Sequence, residues 1–178
     1  MTFNYLEAAF AASFLDMCGI AGILSHQLTN SRNDDVKQML ELIRHRGPDG
    51  IGYADSPFGT IGHVRLSILD SSTAAAQPFV SENSILSYNG EIYNYKDIKR
   101  LLPEKPYVSH SDTEVLFQSL SVSGLESTLQ LLRGMYAFCW HNTSTGETYL
   151  VRDRFGIKPL FYTITNNQEL IFSSELKS

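Results

Sequence analysis

Short apolar or alternating segments, separated by turns and polar loops, limit the fold of this chain more than any other feature of its sequence. The segments with the length and pattern of strands are residues 18–24, 61–68, 85–88, 135–141, 148–152, 160–163 and 170–172. Two or three helix-like patterns are interleaved with them. Sheets with helices packed outside them are therefore favoured over a helical bundle.

The segment 61–68 alternates between apolar and polar side chains. One face would carry Val64, Leu66 and Ile68, and the other His63, Arg65 and Ser67. This period of two predicts a half-buried strand with one polar face. Such a face could bind an anion or could be a solvated edge, and the pattern leaves both alternatives open.

A first helix is predicted after the first polar loop. Its evidence is the helical spacing of four apolar residues, Val36, Met39, Leu40 and Ile43. Asn33 or Asp34 is suited to cap its start. The Gly-Pro-Asp-Gly sequence at 47–50 is typical of a turn and predicts that the helix ends near Arg44.

Two further helices are predicted in the middle of the chain. One covers residues 95–102 and is stopped by Pro103. The other begins at Ser111, because Glu114 follows three residues later and completes a capping box. Asp112 then lies in its first turn, and its inward-facing residues would be Val115, Leu116 and Leu120.

Charge and cysteine content exclude several classes of protein. The 178 residues carry a formal net charge of -5, and no window collects the basic residues that nucleic acid requires. No segment approaches the ~18 consecutive apolar residues of a membrane span. Two cysteines, Cys18 and Cys139, are too few for a disulfide framework or a cysteine metal site. We therefore expect no nucleic-acid, membrane or metal partner, and a reducing compartment, the cytoplasm.

Taken singly, the chemically interesting residues are ambiguous. Cys18, at the start of a predicted strand, fits a buried structural thiol as well as a reactive one. The pair Asn89-Gly90 is typical of a hairpin turn, which would stop the strand 85–88.

Five motifs occur together and in order along the chain. They are Met17-Cys18-Gly19-Ile20-Ala21-Gly22, Arg44-His45-Arg46-Gly47-Pro48-Asp49-Gly50, His63-Val64-Arg65-Leu66-Ser67-Ile68-Leu69-Asp70, Tyr88-Asn89-Gly90-Glu91-Ile92-Tyr93-Asn94-Tyr95 and Arg152-Asp153-Arg154-Phe155-Gly156-Ile157-Lys158-Pro159-Leu160. This series resembles the glutaminase domain of glutamine-hydrolysing asparagine synthetase, a class II N-terminal-nucleophile glutamine amidotransferase. The resemblance runs from Met17 to about Lys177. It implies an α+β fold of four layers, αββα, with two stacked antiparallel sheets flanked by helices.

The residues of the third motif distinguish this chain from other amidotransferases of the same class. The phosphoribosyl-diphosphate and glucosamine-phosphate types are expected to carry an aromatic residue after the arginine of that motif. This chain has Leu66, Ser67 and Ile68 instead. The asparagine-synthetase type is therefore favoured, although relatives that transfer nitrogen to sugars or to other carboxylates share much of these motif sequences.

The resemblance implies roles for individual residues in glutamine hydrolysis. Cys18 would be the nucleophile once it is the first residue of the mature chain, with its own α-amino group as the base. The Asn89 side chain and the Gly90 N–H would stabilise the negative charge on the amide oxygen.

The resemblance also implies a binding site for the substrate, L-glutamine. Arg65 would bind the α-carboxylate through its planar fork, and Asp112, helped by Glu91, the α-ammonium. The segment Leu66, Ser67, Ile68 and Leu69 would line the substrate. The motif residues Arg46, Asp49, Asp153 and Arg154 are interpreted as structural, and Cys139 as core.

Two departures from the family shape our expectations of the domain organisation. Residues 1–17 form an N-terminal extension before the amidotransferase domain at 18–178, and an upstream start codon or a cleaved propeptide would explain it. The C-terminal synthetase domain of the family is absent, so no cofactor is expected in this chain. ATP and magnesium would belong to that domain, or to a separate subunit, which would receive the ammonia. The alternative function is a non-catalytic binding or regulatory remnant in which the extension masks Cys18.

Overall fold

The strands form two antiparallel sheets in the computed structural model, which describes residues 17–67 and 72–178. The first sheet contains, in spatial order, β2 (Gly50–Ser56), β3 (Gly59–Arg65), β1 (Gly19–Ser25), β9 (Glu169–Ser173) and β8 (Phe161–Ile164). The second contains β4 (Phe79–Val80), β5 (Ser84–Ile92), β6 (Gly134–Asn142) and β7 (Thr148–Arg152). The helices are α1 (Asn33–Leu42), α2 (Tyr95–Leu101) and α3 (Asp112–Leu131), with short 3-10 turns at Arg44–Arg46 and Thr73–Ala75.

Three apolar clusters show how these elements are layered. Between α1 and the first sheet lie Val36, Met39, Leu40, Ile43, Ala21, Ile23 and Val64. Between the two sheets lie Ile20, Leu24, Ile61, Phe172, Ile85 and Cys139. Between the second sheet and helices α2 and α3 lie Leu86, Tyr88, Ile92, Phe138, Ile98, Val115, Leu116 and Leu120. The predicted four-layer αββα arrangement is therefore confirmed.

Alternation along the strands divides their side chains between these layers. On β1, Ile20 packs between the sheets, whereas the next residue, Ala21, packs against α1. On β5, Ile85 faces the first sheet and Leu86 faces the helices. Because both faces of each sheet are covered, the central strands are apolar on both sides.

The predicted apolar face of α1 is confirmed, but its predicted cap is wrong. Asn33 is already the first residue of the helix, and no side chain caps the backbone at Arg32. The amide of Asn33 instead donates to Asp55 Oδ2 at 2.7 Å, which ties the start of the helix to β2.

The predicted start of α3 is confirmed. Ser111 Oγ accepts a hydrogen bond from the Glu114 N–H at 3.3 Å, which is one half of a capping box. The Glu114 carboxylate accepts hydrogen bonds from the N–H groups of Val108 and Ser109. The usual partner in a capping box is the N–H of the N-cap residue, here Ser111. Neither α3 nor any other helix within 17–67 and 72–178 is long and apolar enough to cross a membrane.

The strand predicted at 61–68 is confirmed from Ile61 to Arg65, but the prediction that it is half-buried is wrong. β3 ends at Arg65, and both of its faces are covered, by α1 on one side and by the second sheet on the other. His63 is consequently only 1% exposed. Leu66 and Ser67 lie beyond the strand, and the Leu66 N–H bonds to Cys18, the residue before β1.

The prediction of a hairpin turn at Asn89-Gly90 is also wrong. β5 continues to Ile92, and Gly90 pairs with Tyr136 of β6. A Cβ atom at position 90 would lie 2.4 Å from the Met135 carbonyl oxygen. Glycine is required here because two strands approach closely, a reason that the local dipeptide pattern does not reveal.

Candidate active site

A cleft opens where the beginning of β1, the end of β3, one edge of β5 and the first turn of α3 meet. Seven of the residues predicted for the site line it: Cys18, Arg65, Leu66, Ser67, Asn89, Gly90 and Asp112. Glu91 is not among the lining residues. Ile68 and Leu69, and residues 1–16 of the predicted extension, lie outside the described residues.

Cys18 lies immediately before β1, and backbone contacts fix its position. Its Sγ accepts a hydrogen bond from the Leu66 N–H at 3.3 Å, and its carbonyl oxygen accepts one from Arg46 Nε at 3.2 Å. Burial raises the pKa of the Cys18 thiol, while the Leu66 N–H and the charges of Lys158 and Arg65 act in the opposite direction. These opposing groups favour the thiolate, the reactive form of cysteine.

Asn89 presents an unsatisfied donor to the same cleft. Its side chain is on the face of β5 that looks toward the first sheet, and the residue is 1% exposed. Its Nδ2 has no hydrogen-bond partner among the described residues. A buried donor without a partner is destabilising by about 1–3 kcal/mol. A bound oxygen atom in the cleft would satisfy it.

The Gly90 N–H is directed to the open edge of β5. The N–H groups of Tyr88 and Ile92, two residues to either side, bond to Gln77 Oε1 at 2.7 Å and to Asp112 Oδ2 at 2.8 Å. Because backbone groups alternate between the two edges of a strand, the Gly90 N–H points the same way, away from β6. The short strand β4 pairs only with Ile85 and Leu86 and does not cover this edge.

Asp112 places a buried carboxylate at the side of the cleft formed by α3. It is 4% exposed, and its Oδ2 accepts hydrogen bonds from the Tyr88 hydroxyl at 2.7 Å and from the Ile92 N–H. Burial raises the pKa of Asp112, although both of these donors oppose the effect. The carboxylate is thus held in one orientation by β5.

Arg65 ends β3 and places a guanidinium group at the mouth of the cleft. Its Nη1 donates to the Ser72 carbonyl oxygen at 2.9 Å. The two following residues contribute through their backbone, because the Leu66 N–H binds Cys18 and the Ser67 N–H binds Asp49 Oδ2 at 2.7 Å.

Residues outside the predicted set also line the cleft, and Lys158 is chemically the most notable of them. It follows a loop that Asp153 organises by accepting hydrogen bonds from the N–H groups of Tyr136, Phe155, Ile157 and Lys158. Burial alone would raise the pKa of Asp153, but these donors outweigh it and hold the pKa below its usual value. Nothing in the local sequence indicates that this loop delivers Lys158 to Cys18.

His63 is another residue of the cleft that the sequence did not assign to the site. It lines the cleft from the middle layer, and neither ring nitrogen has a partner among the described residues. Burial lowers the pKa of His63 to about 3, so the ring is neutral at physiological pH. Within the same residues, no group of three His, Cys, Asp or Glu side chains could hold a metal ion.

Two stacked antiparallel sheets, with a thiol at the start of a central strand and amide donors on the facing strand, define the class of the N-terminal-nucleophile hydrolases. A family model described as a glutamine amidotransferase domain matches residues 17–178. The chain therefore belongs to the glutamine amidotransferase domain family.

Curated relatives agree with this assignment. The chain is 40% identical to "Asparagine synthetase [glutamine-hydrolyzing] 1" of Bacillus subtilis over 91% of its length and 26% of that protein. It is 38% identical to "Amidase chry2" of Gibberella zeae over 91% and 26%, and 31% identical to an asparagine synthetase of Asparagus officinalis over 90% and 28%. The chain thus spans about a quarter of the length of these relatives. The predicted resemblance to the glutaminase domain of asparagine synthetase is confirmed.

Proposed function

We propose that this domain hydrolyses L-glutamine to L-glutamate and ammonia, as the glutaminase half of an asparagine-synthetase-like amidotransferase. The observation that carries the proposal is the convergence of Cys18 Sγ and the unpartnered Asn89 amide in one cleft. A nucleophile and an unsatisfied donor together fit an acyl transfer in which negative charge develops on an oxygen atom.

Cys18 becomes competent when it is the first residue of the chain. Its free α-amino group, with a pKa near ~7.7 to 8.0, then exchanges a proton almost evenly with a thiol of pKa near ~8.5. The thiolate attacks the side-chain amide carbon of glutamine, and the amine returns the proton to the departing ammonia. Water hydrolyses the resulting γ-glutamyl thioester and releases glutamate.

The oxyanion of each tetrahedral intermediate is bound by Asn89 Nδ2 and the Gly90 N–H. Both groups are on β5, whose position is fixed by pairing with β6 and by the bonds of Tyr88 and Ile92. Donors that are already oriented require no rearrangement during the reaction. One such donor typically contributes a factor of about 10² to 10³ to the rate.

The two ends of the glutamine backbone bind to opposite charges on either side of the cleft. Arg65 binds the α-carboxylate, for which a planar guanidinium group is well suited. Asp112 binds the α-ammonium. The contributions of Glu91 and of residues 66–69 stay predictions from the family resemblance.

The ammonia would pass to a synthetase domain or subunit that also binds ATP and magnesium. Support for this partner comes from relatives that are named synthetases and are about four times as long as the matched segment. The alternative, a non-catalytic module with Cys18 masked by the preceding residues, is separated from the proposal by the state of the N-terminus.

Glutamate release tests the proposal. We expect chain 17–178, with Met17 removed and the free Cys18 amine verified by intact mass, to hydrolyse glutamine without ATP. Cys18→Ala should be inactive, and Cys139→Ala should retain activity because that thiol is buried between the sheets. Chain 1–178 with an unprocessed N-terminus should be inactive. Equal rates for the parent and Cys18→Ala, or no activity with a verified free amine, would contradict the enzymatic function.

A further inference from the structure

Lys158 carries a buried ammonium group that forms no direct ion pair with a residue in the described part of the chain. The residue is 4% exposed and lines the cleft. None of the ion pairs among the described residues includes it. Its Nζ donates to the Met17 Sδ atom, which is a weak acceptor.

A buried, unpaired ammonium is unfavourable, so its position needs an explanation. Buried charges in proteins are normally paired, because they lose their hydration. Burial lowers the pKa of Lys158, and the neighbouring Arg46 lowers it further, whereas the negative charges of a Cys18 thiolate, of Glu91 and of Asp153 raise it. The charge pair of Lys158 with Cys18 likewise favours the Cys18 thiolate. The loop that Asp153 organises holds Lys158 in the cleft, because the Lys158 N–H donates to the Asp153 carboxylate.

The contact with Met17 shows where the ammonium lies relative to the nucleophile. Met17 immediately precedes Cys18, and both residues line the cleft together with Lys158. When Met17 is removed, its thioether leaves with it, and Lys158 Nζ loses this acceptor.

We propose that Lys158 is a positioning residue that maintains positive charge beside Cys18, so that a larger fraction of its thiol is present as the reactive thiolate. The inference rests on the proposed function, because it takes Cys18 as the nucleophile. A nearby cation favours an anion over its neutral form.

Other charged or titratable groups around Cys18 already have partners or a different place in the cleft. Arg46 binds the Cys18 carbonyl oxygen and Glu175, and Arg65 binds the Ser72 carbonyl oxygen. The groups that face the cleft, or act on it electrostatically, come from each neighbouring element. They are Arg46 after α1, His63 and Arg65 on β3, Tyr88 and Glu91 on β5, Asp112 on α3, and Asp153 and Lys158 between β7 and β8. Of these cations, Lys158 is the one with a thioether as its acceptor.

The pH profile of Cys18 alkylation by iodoacetamide tests this inference without glutamine. We use chain 17–178 with Met17 removed and with Cys139→Ala as background, so that Cys18 is the one thiol. Lys158→Met removes the charge, and we expect the midpoint of the alkylation profile to rise by about one pH unit, a tenfold change in thiolate fraction. Lys158→Arg should leave the midpoint within about 0.3 pH unit, since the charge remains.

Further variants separate this role from a structural one. Lys37→Met, on the exposed side of α1, should leave the midpoint unchanged. If Lys158→Met does not fold, Lys158→Gln provides a second neutral side chain. An unchanged midpoint in a folded neutral variant would overturn the inference. If the parent shows the expected profile but releases no glutamate, the proposed function fails while the electrostatic role of Lys158 stands.

Discussion

Three residues at the cleft have buried polar atoms without a partner among the described residues. Asn89 and His63 line the cleft, and Arg46, whose Nη2 is unpartnered, holds the Cys18 carbonyl oxygen. Arg32, Asn33 and Trp140 have such atoms elsewhere. Each such atom lowers the stability of the fold, and at the cleft this cost falls beside the proposed nucleophile.

The unsatisfied amide of Asn89 leads to a prediction that separates catalysis from folding. Asn89→Ala should lower kcat for glutamine by about 10² to 10³, because one oxyanion donor is lost. The free energy of unfolding should fall by less than about 1 kcal/mol, because no protein hydrogen bond to Nδ2 is broken. Glutamate release and urea denaturation measure the two effects.

Ser87 provides the matched control on the same face of β5. Its buried hydroxyl donates to the Gly62 carbonyl oxygen at 2.9 Å, and it does not line the cleft. Ser87→Ala should therefore lower stability by about 1 kcal/mol and leave kcat unchanged. The oxyanion role of Asn89 would be rejected if its alanine variant kept the parental kcat.

At the scale of elements, β5 packs in the core and also carries groups of the proposed active site. One face packs on α2 and α3, the other faces the first sheet, and its uncovered edge carries the Gly90 N–H. The same edge receives Asp112 from the start of α3 through the Tyr88 and Ile92 bonds. A shift of this strand would move both the proposed oxyanion donors and the proposed ammonium ligand.

Gly90 tests how tightly β5 and β6 approach each other. Gly90→Ala would place a Cβ atom 2.4 Å from the Met135 carbonyl oxygen and 2.8 Å from Tyr136 Cα. Because backbone must move, we expect a loss of about 1–3 kcal/mol in unfolding free energy and a lower melting temperature. Thermal unfolding followed by circular dichroism measures it.

Gly50, at the start of β2, is the control for this substitution. The nearest atom to a Cβ there would be Arg65 Cβ, at 4.0 Å. Gly50→Ala should be neutral or stabilising by up to about 1 kcal/mol, because it restricts the unfolded chain. Equal melting temperatures for the two alanine variants would show that the close approach at Gly90 is unimportant.

At the scale of the whole molecule, stacking the two sheets buries His63 in the middle layer and makes stability depend on pH. The pKa of His63 is lowered to about 3, whereas a histidine in the unfolded chain titrates near ~6.5. Between these values only the unfolded state binds the proton. The stabilisation is therefore complete above pH ~6.5 and is lost as the pH falls toward 3.

A variant without the imidazole should lose less stability in acid. Between pH 7.5 and 4.5, we expect the unfolding free energy of the parent to fall by about 2–3 kcal/mol more than that of His63→Met. Urea denaturation at intervals of one pH unit measures both curves. His141, whose pKa burial lowers to about 4, contributes to both proteins and cancels in the difference. Parallel curves would mean that His63 is not held neutral by the fold.

Local pattern was sufficient for most elements of this fold. The helical spacing from Val36 to Ile43 and the helix start at Ser111 are encoded within a few residues, and both were confirmed. β2 was missed, because the glycines and turn residues around Gly50 obscure its alternation. The ordered motifs, which are distributed from Met17 to Leu160, indicated the family correctly.

The sequence by itself therefore determined most of the strands, the helices and the family, because these depend on side-chain periodicity and on residues in fixed order. Only the tertiary structure decided that Asn89 and Gly90 continue a strand, and which polar residues are buried: His63 on a covered strand, Asn89 at the cleft, and Lys158 beside Cys18. Burial is set by which layers pack on each face, and residues distant along the chain form those layers. The pattern of a short segment therefore does not reveal which elements will pack on it.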